Sequence, residues 1–494
     1  MLDRHAWALL RRLTGWLDQF KDCFGHRAQH ASLRQYVDGL LGDSARKSMS
    51  AMLARVSEPT SYQAFQHFIT HAPWEAEVVW RRLRARLPDR AGILILDETS
   101  FPKSGPHSVG AARQYCGALG KVANCQVAVT AALWTGQRAW PVGALLYLPE
   151  TWTSDPARRA SARIPTPVVF QEKWRLALTL VRRARAAGLT LTAVVADAEY
   201  GDNRTVRQAL HRLRLPYALG ISPTLTVFKG TPVLRVDRDQ PPPRNRREGW
   251  PDQEPVSVRA LSDALSARAW RRVTWRNGAN PPWEADFAAR RVTPATDWRQ
   301  RRLAPEIWLQ CERGVGPTGR RKHYFVSLPA TASLAQLVRL AHQRWAIEQH
   351  YQDFKSELGL DHFEGRTYPG WQHHMVISAV AYAFLQGERR RPRAGPRLTF
   401  PQVCAFVQEI FTGLFLISRP RYMHWMKQRN NGRFNCGQSR TRFRVPAAAR
   451  DSCLSLRTLE GRISWEDVGG TGAVRYTRRW RGGRAERARQ TRHR

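Results

Sequence analysis

Gly92-Ile-Leu-Ile-Leu-Asp97-Glu-Thr99 is the stretch whose reading decides the fold of this chain. A short apolar run without polar alternation suits a strand covered on both faces. It predicts a central strand over 92–96 that delivers Asp97 to its end, where a rigid scaffold holds a carboxylate within reach of ligand. Asp97 stands at that end, and its neighbour Glu98 points to the other face. Asp97 is therefore the first candidate site residue.

A second run, Leu191-Thr-Ala-Val-Val-Ala196, closes on Asp197 in the same way. Between the two, strands near Asn124–Leu133 and Ala139–Leu148 join the first in an antiparallel meander. Gln171–Ala187 reads as an amphipathic helix ended by Gly188. After Asp197, residues 202–213 read as a helix with Asp202 as its N-cap, and Tyr217–Ile221 as a strand. Three strands followed by β-α-β alternation predict an α/β fold, a mixed sheet flanked by helices. Glu199 and Asp202 lie close to Asp197, and either is a rival functional carboxylate or a cap.

The third carboxylate is in Arg344-Trp-Ala-Ile-Glu348-Gln-His-Tyr351-Gln-Asp-Phe-Lys355, on a helix read as beginning at Ser333. At about 100° per residue, Arg344, Glu348, Tyr351 and Lys355 fall within roughly 60° of arc. As an i, i+4 pair, Arg344 and Glu348 also support an exposed helix by about 0.2–0.5 kcal/mol, and that role alone explains the pair. With Asp97 and Asp197, however, three separated carboxylates become candidates for one site.

Composition points to the partner. The 494 residues hold 79 Lys and Arg against 40 Asp and Glu, a formal net charge of +39. Such an excess repels itself unless a polyanion shares the surface, so nucleic acid, bound with a steep salt dependence, is expected. A genome-wide arginine bias is the competing explanation. The glycine-rich segment 101–121 offers Lys103, Arg113 and Lys121 to a phosphate backbone, with a plain surface loop as the alternative. Seven scattered cysteines without a Cys-x-x-Cys pair argue against a disulfide framework or a cysteine zinc site. No signal design opens the chain, and the apolar stretches around Met375–Leu385 and Phe411–Ile417 are short of a spanning helix. A soluble, cytoplasmic, nucleoid-associated protein with no membrane partner is expected.

The domain reading is a helical DNA-binding region over 1–90, an α/β core over 91–223 and 321–390, and a β-rich insertion over 224–320 between them. A helical region over 391–429 and an Arg-rich disordered tail over 430–494 follow. His373 and His374 open an apolar helix over 375–386, where capping or core-edge roles are commoner than metal binding.

In order and joint spacing these motifs resemble those of the DDE transposases of bacterial insertion sequences, in the cut-and-paste branch with a Tyr-Arg-Glu-Lys signature. Arg344, Glu348 and Lys355 match that signature, while its tyrosine position holds Ala341. Tyr351 lies on the same face but is not its match. Asp97-Glu-Thr, Asp197-Ala-Glu-Tyr-Gly-Asp-Asn and Glu357-Leu-Gly-Leu-Asp-His-Phe-Glu-Gly-Arg366 add to the resemblance, which runs from about Phe20 to Gln428. It implies an RNase H-like fold and metal-dependent cleavage and strand transfer on double-stranded DNA, at element ends and target. It also implies two Mg²⁺ ions, or Mn²⁺, about 3.5–4 Å apart. Asp97 would bridge them, Asp197 and Glu348 would each hold one, and Arg344 and Lys355 would position phosphates. A homodimer in the synaptic complex follows from the same resemblance. The competing readings are a catalytically inactive, transposase-derived DNA-binding protein and a structural basic protein.

Overall fold

The computed structural model describes residues 4–235, 250–276, 283–295, 303–314, 321–392 and 397–419. The expected disordered tail, 430–494, lies outside them, as does most of the expected loop at 239–251. Five α-helices come first: α1 (Arg4–Asp18), α2 (Arg27–Leu41), α3 (Met49–Leu53), α4 (Tyr62–Thr70) and α5 (Ala76–Arg86). The sheet begins with β1 (Ala91–Pro102), β2 (Ala112–Cys116), β3 (Lys121–Trp134) and β4 (Ala139–Tyr147). Helix α6 (Lys173–Ala186), β5 (Thr190–Ala196), α7 (Arg204–Arg212) and β6 (Tyr217–Ile221) complete the first half.

The strand order β4-β3-β1-β5-β6 is antiparallel over its first two pairings and parallel over its last two. This is the RNase H-like arrangement. Its parallel pairs require crossovers, which α6 and α7 supply. Two expectations are corrected. The glycine-rich segment is no simple loop: β2 forms within it and pairs with β3 from Ala112↔Cys125 to Cys116↔Lys121. Asp202 does not cap α7, since Asn203 accepts from the Val206 amide while Asp202 accepts from the Ser222 amide at 2.7 Å.

The region 224–320 contributes β7 (Thr226–Lys229), β8 (Val256–Ser257), β9 (Arg271–Arg276), β10 (Trp283–Pro294) and β11 (Ile307–Arg313), and β12 (Arg321–Val326) follows. These strands join the main sheet through the antiparallel β12–β6 pairing, giving twelve strands in one sheet among the described residues.

Beyond the sheet come α8 (Leu334–Ala341), α9 (Trp345–Leu358), α10 (Tyr368–Arg390) and α11 (Phe400–Ile417). Ser333 does start α8, through a capping box with Gln336. The expected single helix through Glu348 is nevertheless broken by a 3₁₀ turn at His342–Arg344, and α9 starts only at Trp345. Helix α10 is buried along most of its length, and the N-terminal helices pack around it. Arg12 of α1 makes a bidentate pair with Glu388 at 2.8 and 2.7 Å. His373 bonds the Ile69 and Trp74 carbonyls, and His374 bonds the Tyr36 hydroxyl and the Leu360 carbonyl. These histidines are fully engaged in the core.

Phe411–Ile417, expected as a short apolar stretch, is the second half of α11. Among the described residues α11 is long and apolar enough, by length and composition, to cross a membrane, with a mean hydropathy of 1.5. Val403, Val407, Ile410 and Phe411 on one side of it are buried in the protein core.

Candidate active site

The parallel ladder between β1 and β5 fixes the first two carboxylates. Its last pair is Ile95↔Val195. Carried forward two residues, the same register brings Asp197, the first residue after β5, alongside Asp97 of β1. Asp97 is not at a strand end as expected: β1 continues to Pro102 and Asp97 pairs with Thr130 of β3. What ends beside it is β5. On that side the sheet opens, and Asp197 begins a one-turn helix, Ala198–Gly201, accepting from the Glu199 amide at 3.1 Å. This turn lies directly on β6, where a Cβ on Gly201 would stand 1.8 Å from the Gly220 carbonyl oxygen.

Alternation along β1 then assigns the two faces. Ile93 and Ile95, on the Asp97 side, pack with Trp345, Ala346 and Ile347 of α9. Asp97 therefore faces the start of α9, where the 3₁₀ turn brings Arg344 onto it. One guanidinium joins two of the carboxylates, with Nη1 3.1 Å from Asp97 Oδ2 and Nη2 2.9 Å from Glu348 Oε1. Asp97 is nearly buried, whereas the Glu348 side chain is 64% exposed. Burial pushes the Asp97 carboxyl up to about 7; Arg344 and the Glu98 amide oppose this, while Asp197 and Glu348 reinforce it. Burial likewise raises Asp197, against the pull of Arg344. The three proposed carboxylates thus share one cation.

The other residues of the α9 face are turned onto the sheet. The Tyr351 hydroxyl lies 2.5 Å from Thr130 Oγ1, directly across from Asp97. Lys355 donates to the Ser100 carbonyl at 3.2 Å and sits over Phe101. Lys103, half-buried, donates to the Phe363 carbonyl at 2.6 Å. The expected face is therefore real but packed down, because α9 runs along the second half of β1 and uses these groups as anchors. Arg113 and Lys121 are exposed on the β2–β3 hairpin. From the strands after β6, Arg276 stacks 3.9 Å over the Trp345 ring and 5.0 Å from that of Trp283, holding the first residue of α9.

Sequence reading set Glu98 on the opposite face of β1 but missed its partner there, Lys173. Glu98 shares its side with Leu94 and Leu96, and Lys173, the first residue of α6, reaches it at 2.7 Å and Glu199 at 3.0 Å. Tyr200 donates to the remaining Glu98 oxygen at 3.2 Å. The one sequence signal is a cation at a helix N-terminus, where the helix dipole disfavours it.

Three carboxylates at the edge of a buried strand form a donor set suited to a hard divalent ion. Among the described residues no three such groups stand grouped as a ready metal site. Arg344 occupies the space between Asp97 and Glu348, so ion binding there requires its guanidinium to move aside.

Residues 19–282, just over half the chain, match the family profile described as DDE superfamily endonuclease. That span includes Asp97 and Asp197 and stops before Glu348. Over 190 residues the chain is 30% identical to the "Probable transposase for insertion sequence element IS701" of Microchaete diplosiphon, covering 37% of this chain and 46% of that protein. It therefore spans about half the length of the curated relative. A cryo-EM structure of a piggyBac transposase synaptic complex with hairpin DNA aligns with a TM-score of 0.38 and 8% identity, over 88% of this chain and 81% of that one.

Proposed function

We propose, because the chain belongs to the DDE superfamily endonuclease family, that it is a DNA transposase that cleaves element ends and joins them to target DNA. The observation that supports this best is that Arg344 joins Asp97 to Glu348, bringing together segments 247 residues apart that local sequence does not connect.

Members of this family use divalent metal ions, and in this chain Asp97, Asp197 and Glu348 would hold two Mg²⁺ or Mn²⁺. Bound there, such ions supply positive charge at the scissile phosphate and lower the pKa of attacking water. The chain's own groups do the rest. Asp97 is fixed by the Glu98 amide, which donates to its Oδ1 at 2.9 Å, and Asp197 is fixed by the turn it caps. Arg344, displaced from the carboxylates, is placed to grip a phosphate through two parallel hydrogen bonds. The net charge of +39 favours duplex DNA, with the N-terminal helices and the Arg113 and Lys121 hairpin as contact surfaces. Two element ends brought together would involve a homodimer.

The test is nicking of supercoiled plasmid DNA in Mg²⁺ or Mn²⁺ by the full chain and by Glu348→Gln and Asp97→Asn. Wild type should nick, both variants should lose about 10²-fold or more in rate, as on removal of a charge-stabilising group, and both should retain DNA binding. Nicking by Glu348→Gln at the wild-type rate would exclude this site. Binding without nicking by wild type would favour a DNA-binding protein without catalysis.

A further inference from the structure

The motifs Asp97-Glu98 and Asp197-Ala-Glu199 bring four carboxylates together where β5 ends beside β1, and any of them has the chemistry to hold a divalent ion. The structure bonds three of them directly to two cations. On one face Arg344 takes one oxygen each of Asp97 and Glu348. On the other, Lys173 bridges Glu98 and Glu199. Glu98 Oε2 receives Lys173 at 2.7 Å and Glu98 Oε1 receives the Tyr200 hydroxyl at 3.2 Å. Both oxygens of Glu199 lie near the same ammonium, at 3.0 and 3.3 Å.

The two cations also differ in exposure. Glu348 is open to solvent, and the Arg344 side chain is 34% exposed. Lys173 and Glu98 are 22% and 18% exposed and Glu199 is 48% exposed, with the lysine ammonium 5.7 Å from the centre of the Tyr147 ring. Lys173 begins α6, at the helix end where the backbone dipole repels a cation. In that position the two carboxylates offset the repulsion.

We infer that Lys173 acts as a built-in counter-cation that keeps Glu98 and Glu199 from binding ions, and so selects Asp97 and Asp197 as the metal ligands of this centre. Lys173 is on this account a specificity-determining residue with no contact to DNA. The inference rests on the metal centre proposed above.

The experiment counts Mn²⁺ bound per chain by isothermal titration and by electron paramagnetic resonance, using the full chain without DNA. Lys173→Met should bind one ion more than wild type, Lys173→Arg should match wild type, and Glu98→Gln with Glu199→Gln added to Lys173→Met should restore the wild-type count. An unchanged or lower count in Lys173→Met overturns the inference. If that variant does not fold, the pair Glu98→Gln and Glu199→Gln with Lys173 intact decides: count and affinity should stay at wild-type values, and a loss of ions would show that these carboxylates are ligands. Asp97→Asn separates the two readings. If wild type binds no Mn²⁺, or Asp97→Asn loses none, the proposed metal centre fails. If Asp97→Asn loses ions and Lys173→Met gains none, only the inference about Lys173 fails.

Discussion

Replacing Arg344 by Gln keeps much of the side chain's volume and removes the one positive charge shared by Asp97 and Glu348. The two hydrogen bonds it makes are unequal. The bond to Asp97 is nearly buried, and a charge-assisted bond of that kind is worth about 1.5–3 kcal/mol. The bond to Glu348 is to a solvent-exposed carboxylate, where the median ion pair contributes about 0–1 kcal/mol. The variant should therefore lose about 2–3 kcal/mol without metal, which for a chain of this size is a fall of about 2–3 °C in Tm. At the proposed metal centre, saturating Mn²⁺ would take over the role of counter-charge in wild type and variant alike. The difference in Tm between them should then shrink to under about 1 °C. Scanning calorimetry of both proteins with and without Mn²⁺ measures this directly. An equal gap in both conditions would refute the reasoning, because it would mean that Arg344 and the ion do not compete for the same carboxylates.

Two other expectations concern the scaffold. Gly201→Ala puts a methyl group into the Gly220 carbonyl, so the turn that carries Asp197 must lift off β6; the soluble yield should collapse or Tm should fall by several degrees in a melting assay. His350 and His374 are buried and neutral, burial having lowered them to about 3 and about 4. The unfolded chain takes up these protons below about 6.5 while the folded chain does not. Their stabilisation is thus complete above pH 6.5 and is lost as pH falls toward 4, by up to about 2 kcal/mol per histidine at pH 5. His350→Leu should make Tm between pH 7 and 5 less pH-dependent, and an unchanged slope would count against this account.

The core strands were legible because burial on both faces leaves a plain mark: Gly92–Leu96, Leu191–Ala196 and Tyr217–Ile221 are apolar runs closed by polar residues. The closeness of Asp97 and Asp197 follows from pairing those runs in parallel. The break at His342–Arg344 left no such mark, since apolar spacing continues through Leu340, Ala341 and Trp345 whether the turn is α or 3₁₀. Tyr351 and Lys355 were placed on the correct face, but periodicity alone does not say that this face lies on β1. Lys173 was missed because its partners are 75 and 26 residues away and meet it only once α6 docks. The N-terminal helices read as a separate bundle for a similar reason, as the hydrophobic surface they cover belongs to α10, nearly 300 residues later.

The pairing of β12 with β6 has a mechanical consequence. Because the strands after β6 continue the hydrogen-bonded ladder of the catalytic sheet, they cannot swing as a lid on a hinge without tearing backbone bonds between His323–Val326 and Ala218–Ile221. Any force on the outer strands is carried through the ladder to β6, and from there to Gly220, on which the Asp197 turn rests. An engineered chain lacking residues 224–326 would not be a minimal version of the fold. It would carry β6 as a bare edge, open to pairing with a second molecule.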